Sequence, residues 1–175
     1  MKSALALSAL MAGAPPALAA GGWQRIAPPP TPAVAFDAGN QGKLVIRCDN
    51  NRGLHTYTLA IAGPAQGLRA SDWTGIKVAG KTLHVAATLD GKGWVTMTAS
   101  GSASRYRDTE APGNATEVYD AVSAMMRAKP SIAISSGHFR LSVPANGLRA
   151  ALGDSIATCG DPAMLAGEVR ARSEP

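Results

Sequence analysis

Leu44, Ile46 and Cys48 alternate with Val45, Arg47 and Asp49. A period of two over these positions predicts a half-buried strand with Cys48 on its core face. Asn50-Asn51-Arg52-Gly53 has turn chemistry, and a strand resumes from Thr56 to Ala62. The two runs therefore predict a hairpin, which Pro64 ends. Ile76 and Val78 lead through Ala79-Gly80 into Thr82 to Leu89, where Leu83, Val85, Ala87 and Leu89 share one face. Asp90-Gly91-Lys92-Gly93 then turns the chain into a strand from Trp94 to Ala99. The pattern is that of a meander of about five strands with polar residues on the alternate face.

The period changes further on. Ser100 to Gly113 is small, polar and charged, and reads as an exposed loop. Val118, Ala121, Val122 and Met125 fall at i, i+3, i+4 and i+7, the stripe of a surface helix. Asn114 and Glu117 stand in capping-box positions before it, and Lys129-Pro130 stops it. Ile132 and Ile134, then Phe139, Leu141 and Val143, predict two more strands around Ser135-Ser136-Gly137. Beyond Pro144, the set Leu148, Ala151, Leu152, Ser155, Ile156 and Cys159 repeats at helical spacing, so Cys159 lies on the inner face of a last helix and within reach of Cys48. The expected fold is mainly β: an antiparallel β-sandwich or meander sheet with two short amphipathic helices and one disulfide.

The ends of the chain read differently. Lys2, an apolar run from Ala4 to Ala14, Pro15-Pro16 and the small-x-small site Ala17-Leu18-Ala19 have the order of a cleaved signal peptide over residues 1–19. Residues 20–33 contain Pro28-Pro29-Pro30 and Pro32 and read as an extended tether. Residues 34–161 then form a single β-rich domain, and 162–175, with Glu168, Arg170, Arg172 and Glu174, are expected to be a flexible tail. No Cys follows the apolar run, which excludes a lipoprotein. Usage rich in Ala, Pro and Arg suits a bacterial chain, which places the expected destination in the periplasm.

Composition sharpens this picture. Among 175 residues, 46% are hydrophobic, which excludes a disordered chain, and no run of about 20 apolar residues is available to span a membrane. There are 19 Gly and 12 Pro, which favours short elements and many turns. Two cysteines are too few for a four-ligand zinc or iron–sulfur site, but an even number in an oxidising compartment favours a disulfide. The Cys48–Cys159 loop of about 111 residues would contribute at most roughly 4–5 kcal/mol in the chain-entropy model. The other reading of the pair is two buried thiols packed as small hydrophobes.

Candidate chemistry is sparse. His55, His84 and His138 fall in three different strands, never at the i, i+4 spacing of a helical metal site, and His55 and His84 are expected to face solvent. No metal and no cofactor is implied. There is no G-x-S-x-G, and Asp108-Thr109-Glu110 lacks the Gly of an aspartic-protease triplet. Ser135, Ser136 and His138 are close in sequence and keep a hydrolase open as an alternative, since a triad is a matter of geometry. The formal charge of +5 is modest and interspersed with acids, and export removes nucleic acid from the expected partners. Arg105, Tyr106 and Arg107, in the Ser100–Gly113 loop, are the candidate contacts for an anionic partner.

The run Leu44-Val45-Ile46-Arg47-Cys48-Asp49, followed by Gly53-Leu54, resembles the Cys-bearing opening strand of small proteobacterial periplasmic proteins. Phe139 to Pro144, then Leu148 to Leu152 and Cys159, resemble their closing strand, turn and Ala/Leu helix. The similarity is to the invasion-associated protein B-like group and to some type VI secretion-associated accessory proteins. It implies a small β-rich domain without enzymatic activity, with Cys48 and Cys159 as its structural pair. The expected function is an exported, non-enzymatic binding or accessory module of the cell envelope, whose partner is an envelope protein or an anionic surface polymer.

Overall fold

The computed structural model of the chain describes residues 22–104 and 115–173. Strands β1 (Gln24–Ala27), β2 (Ala33–Asp37), β3 (Lys43–Asn51) and β4 (Leu54–Pro64) form an antiparallel meander. Chain order then breaks. β5 (Gly75–Val78) and β6 (Lys81–His84) form a hairpin in a second sheet, whereas β7 (Ala86–Leu89) and β8 (Trp94–Ser104) return to the first. The helix α1 (Ala115–Arg127) leads to β9 (Ser131–Ser135) and β10 (Arg140–Pro144), and α2 (Leu148–Ala151), α3 (Gly153–Cys159) and α4 (Pro162–Ser173) close the chain. The sheet orders are β1-β2-β3-β4-β8-β7 and β10-β9-β5-β6, both antiparallel.

The alternation in the sequence becomes burial. Leu44, Ile46 and Cys48 of β3 pair with Ile61, Leu59 and Tyr57 of β4, and all six are fully buried. From the second sheet, Ile76, Val78, Leu83, Ile132, Ile134, Leu141 and Val143 join the same core. The stripe Val118, Ala121, Val122 and Met125 is buried as expected, and Tyr119 and Ser123 are buried too. The helix is covered on several sides because it packs against β4, β6 and β8 and also against α4. Gly63 lets the sheets close: a Cβ there would overlap the ring of Phe139.

The Cys48–Cys159 disulfide is formed, with Cα atoms 6.2 Å apart, within the range such a bond spans without backbone movement. Its surroundings are hydrogen-bonded. Beside Cys48, the Tyr57 hydroxyl donates to the carbonyls of Ser155 (3.2 Å) and Gly160 (2.9 Å), and Asn50 Nδ2 donates to the Thr158 carbonyl at 3.0 Å. The tyrosines Tyr57 and Tyr119 meet edge to face, and the Tyr119 hydroxyl donates to the His55 carbonyl at 2.7 Å. Burial foremost, with the negative charge of Asp161 second, holds the Tyr57 phenol above its ordinary pKa, so it remains a neutral donor.

Several expectations are corrected. Residues 20–33 are not all tether. Gln24–Ala27 pairs with β2, Trp23 Nε1 donates to the Pro144 carbonyl at 2.8 Å, and its ring meets Phe36. An edge strand needs only backbone partners, so no side-chain period announces it.

Residues 162–173 are not a frayed tail but helix α4, whose Leu165, Ala166 and Val169 are buried and whose Arg170 is salt-bridged to Asp120 of α1. Thr82 to Leu89 is two strands in two sheets: Leu83 is fully buried and Leu89 is 41% exposed. His55 does not face solvent, because it shares the core face of β4 with Tyr57 and Leu59 and is 7% exposed. The segment from Leu148 to Cys159 is helical with a break at Leu152. Strand β8 takes up Ser100–Ser104, the start of the expected loop, and the rest of that loop lies outside the described residues.

Candidate functional site

The second sheet turns a polar face outward. Arg140 on β10 is the cross-strand partner of Ser135 on β9, Ser135 of Lys77 on β5, and Lys77 of Thr82 on β6. These four side chains form one row across the sheet, since partners in register share a face. The core supplies the reason for their direction. Lys77 lies between the buried Ile76 and Val78, Ser135 follows the buried Ile134, and Arg140 lies between the buried Phe139 and Leu141.

Over this row lies an open cleft of about 540 Å³, rimmed by Asp72 and Thr74 on one side and by the Ser136–His138 turn on the other. The turn is held from both ends. Ser136 N–H donates to the Phe139 carbonyl at 3.0 Å, and Ser136 Oγ accepts from the His138 backbone N–H at 3.3 Å. The Arg140 guanidinium donates to the carbonyls of Ser136 and Phe139, the latter at 2.8 Å. It is thus fixed over its own turn while keeping its charge. Beneath the turn, the buried Trp73 meets the rings of His138 and Phe139 edge to face.

The charge balance is positive. Asp72 is the carboxylate of the cleft, and its oxygens accept from its own loop: the Arg69 N–H at 2.7 Å and the Ser71 hydroxyl at 3.5 Å. The ion pairs among the described residues are Arg25–Asp154, Arg149–Asp161 and Arg170–Asp120. Lys77 and Arg140 therefore stand in the cleft without an acidic partner among the described residues. Two cations outside any ion pair among the described residues, over a floor of hydroxyls and against one carboxylate, can hold an anion by charge-assisted hydrogen bonds.

The sequence-derived candidates divide. Ser135, Ser136 and His138 do line one cleft with Arg140. Their contacts are not those of a triad: Ser136 Oγ is bonded to the His138 backbone, and the His138 ring contact is with Trp73. Arg105, Tyr106 and Arg107 lie outside the described residues. Cys48 and Cys159 are bonded to each other on the core side, away from the cleft lining. Lys77 was not singled out by sequence. Its signal is one charge between two core positions of a short strand, and its pairing with β9 depends on contacts more than fifty residues away. Among the described residues there is no group of three His, Cys, Asp or Glu placed to hold a metal ion, and no helix long and apolar enough to cross a membrane.

Comparison with known proteins found no matching family model, no matching curated protein and no matching solved structure.

Proposed function

We propose that this chain is an exported, non-enzymatic binding module of the cell envelope that engages an anionic group of its partner through the Lys77–Arg140 cleft. The observation that carries this reading is the row Arg140–Ser135–Lys77–Thr82, in which both cations lack an acidic partner among the described residues and Arg140 is held in place by two carbonyls. Export rests on the signal-peptide order of residues 1–19, and a disulfide suits the oxidising periplasm. The resemblance to the invasion-associated protein B-like group belongs to the same reading. A β-rich domain stapled by a buried disulfide provides a rigid platform, which suits recognition by a fixed face. The hydrolase alternative would need Ser135 or Ser136 to bond the His138 ring, and the contacts described above favour binding over catalysis.

The test is co-sedimentation of the chain from residue 20 onward with an isolated Gram-negative envelope fraction at low and high salt. Binding is expected to fall with salt, and by about fivefold to tenfold for each of Lys77→Ala and Arg140→Ala. Equal sedimentation of the wild type and the double variant overturns the reading.

A further inference from the structure

The cleft continues past Arg140. A second cleft of about 700 Å³, lined by Gln41, Gln66 and Ser142 among others, shares Ser135, His138 and Arg140 with the first. β10 is an edge strand. One groove therefore crosses β5, β9 and β10 and turns over the edge of the sheet toward the loops that flank β3 and β4. A single small anion would fill a fraction of it.

Charge along this groove is sparse. Lys77 and Arg140 are two strand spacings apart, about 10 Å between their backbones. Arg140 is bonded to the carbonyls of Ser136 and Phe139, so it does not swing toward Lys77, and the two cations meet separate anionic groups. Around them the lining carries hydroxyls of Thr74, Thr82 and Ser135, amides of Gln41 and Gln66 and one carboxylate, Asp72, with apolar Ala133, Phe139 and Leu141 toward the edge. Hydroxyls and amides both donate and accept, as a polyol requires. A nucleic-acid strand, with a charge every 3.4 Å or so along its duplex axis, is denser in charge than two cations about 10 Å apart can match. A neutral polymer would leave both cations unused.

We propose that the groove binds a linear acidic polysaccharide of the uronate type. Lys77 and Arg140 each take a carboxylate from units about 10 Å apart, the hydroxyls between them bond Ser135, and those past Lys77 bond Thr82. This rests on the anion-binding reading above and names its ligand class.

The test is calorimetric titration of the chain from residue 20 onward with galacturonic acid, its dimer, tetramer and octamer. Neutral maltooctaose and an octameric glutamate peptide serve as comparisons. Affinity is expected to rise at least tenfold from monomer to tetramer, and Lys77→Ala and Arg140→Ala each abolish that gain. Arg140→Gln, which retains donors for the turn carbonyls, serves if Arg140→Ala disturbs the fold. Gln66→Ala is expected to weaken the octamer and leave the dimer unchanged.

Equal affinity for monomer and tetramer overturns the proposal in favour of a single-anion site. Equal or tighter binding of the glutamate peptide overturns it in favour of an acidic protein segment. No binding of any uronate, with envelope sedimentation still dependent on Lys77 and Arg140, overturns this inference alone. Loss of that dependence overturns the anion-binding reading with it.

Discussion

Tyr57 and Gly63, on the same face of β4, connect the two halves of the packing. Tyr57 bonds the carbonyls of Ser155 and Gly160 from inside the core. Tyr57→Phe leaves both without this donor and is expected to lower stability by about 1–3 kcal/mol in chemical denaturation. The same residue sets an alkaline limit. Its folded pKa is raised, so its contribution is complete below the unfolded value of about 10 and is lost as pH climbs toward the folded value. Melting temperature should fall above about pH 10 more steeply in the wild type than in Tyr57→Phe. At Gly63, an added methyl overlaps Phe139. Gly63→Ala is expected to cost about 1–3 kcal/mol, the usual range for overpacking, and an unchanged denaturation midpoint would contradict the sheet contact described.

Among the elements, α4 and β1 show most plainly what a sequence can and cannot announce. Strand β3, the β3–β4 hairpin, β8, β9 and β10 were legible because each buries one face, so core and solvent positions alternate. Helix α1 was legible for the same reason at helical spacing. Helix α4 was not, because its buried face combines Leu165 and Val169 with Ala166, and small residues write a weak stripe. What holds it is packing on α1 and the Arg170–Asp120 pair, fifty residues distant. If α4 is docked, Leu165→Ala creates a cavity and costs about 2–4 kcal/mol; a free tail would show no change in the unfolding curve.

The strand switch between β6 and β7 was illegible for another reason: alternation continues unbroken when the chain passes from one sheet to the next. The candidate site was half legible. Ser135, Ser136 and His138 stood out by residue type and proximity, and Arg140 did not. Lys77 joins them through β5–β9 pairing, a long-range contact that local pattern does not encode.

At the scale of the whole molecule, the disulfide ties the early strand β3 to the late helix α3 across 111 residues. Cys48→Ala is expected to cost about 2–5 kcal/mol, measured by thermal denaturation under non-reducing conditions. The covalent staple and the Tyr57 hydrogen bonds fix the first sheet against the closing helix α3. The most direct test of the central claim is a two-dimensional amide NMR titration of the isotopically labelled chain from residue 20 onward with tetragalacturonate at low salt. The largest shifts are expected at Lys77, Thr82 and Ser135 through Arg140, abolished in the Lys77→Ala/Arg140→Ala double variant. Shifts concentrated at Arg105–Arg107 with Lys77 and Ser135 unmoved, or shifts that persist undiminished in the double variant, would contradict it.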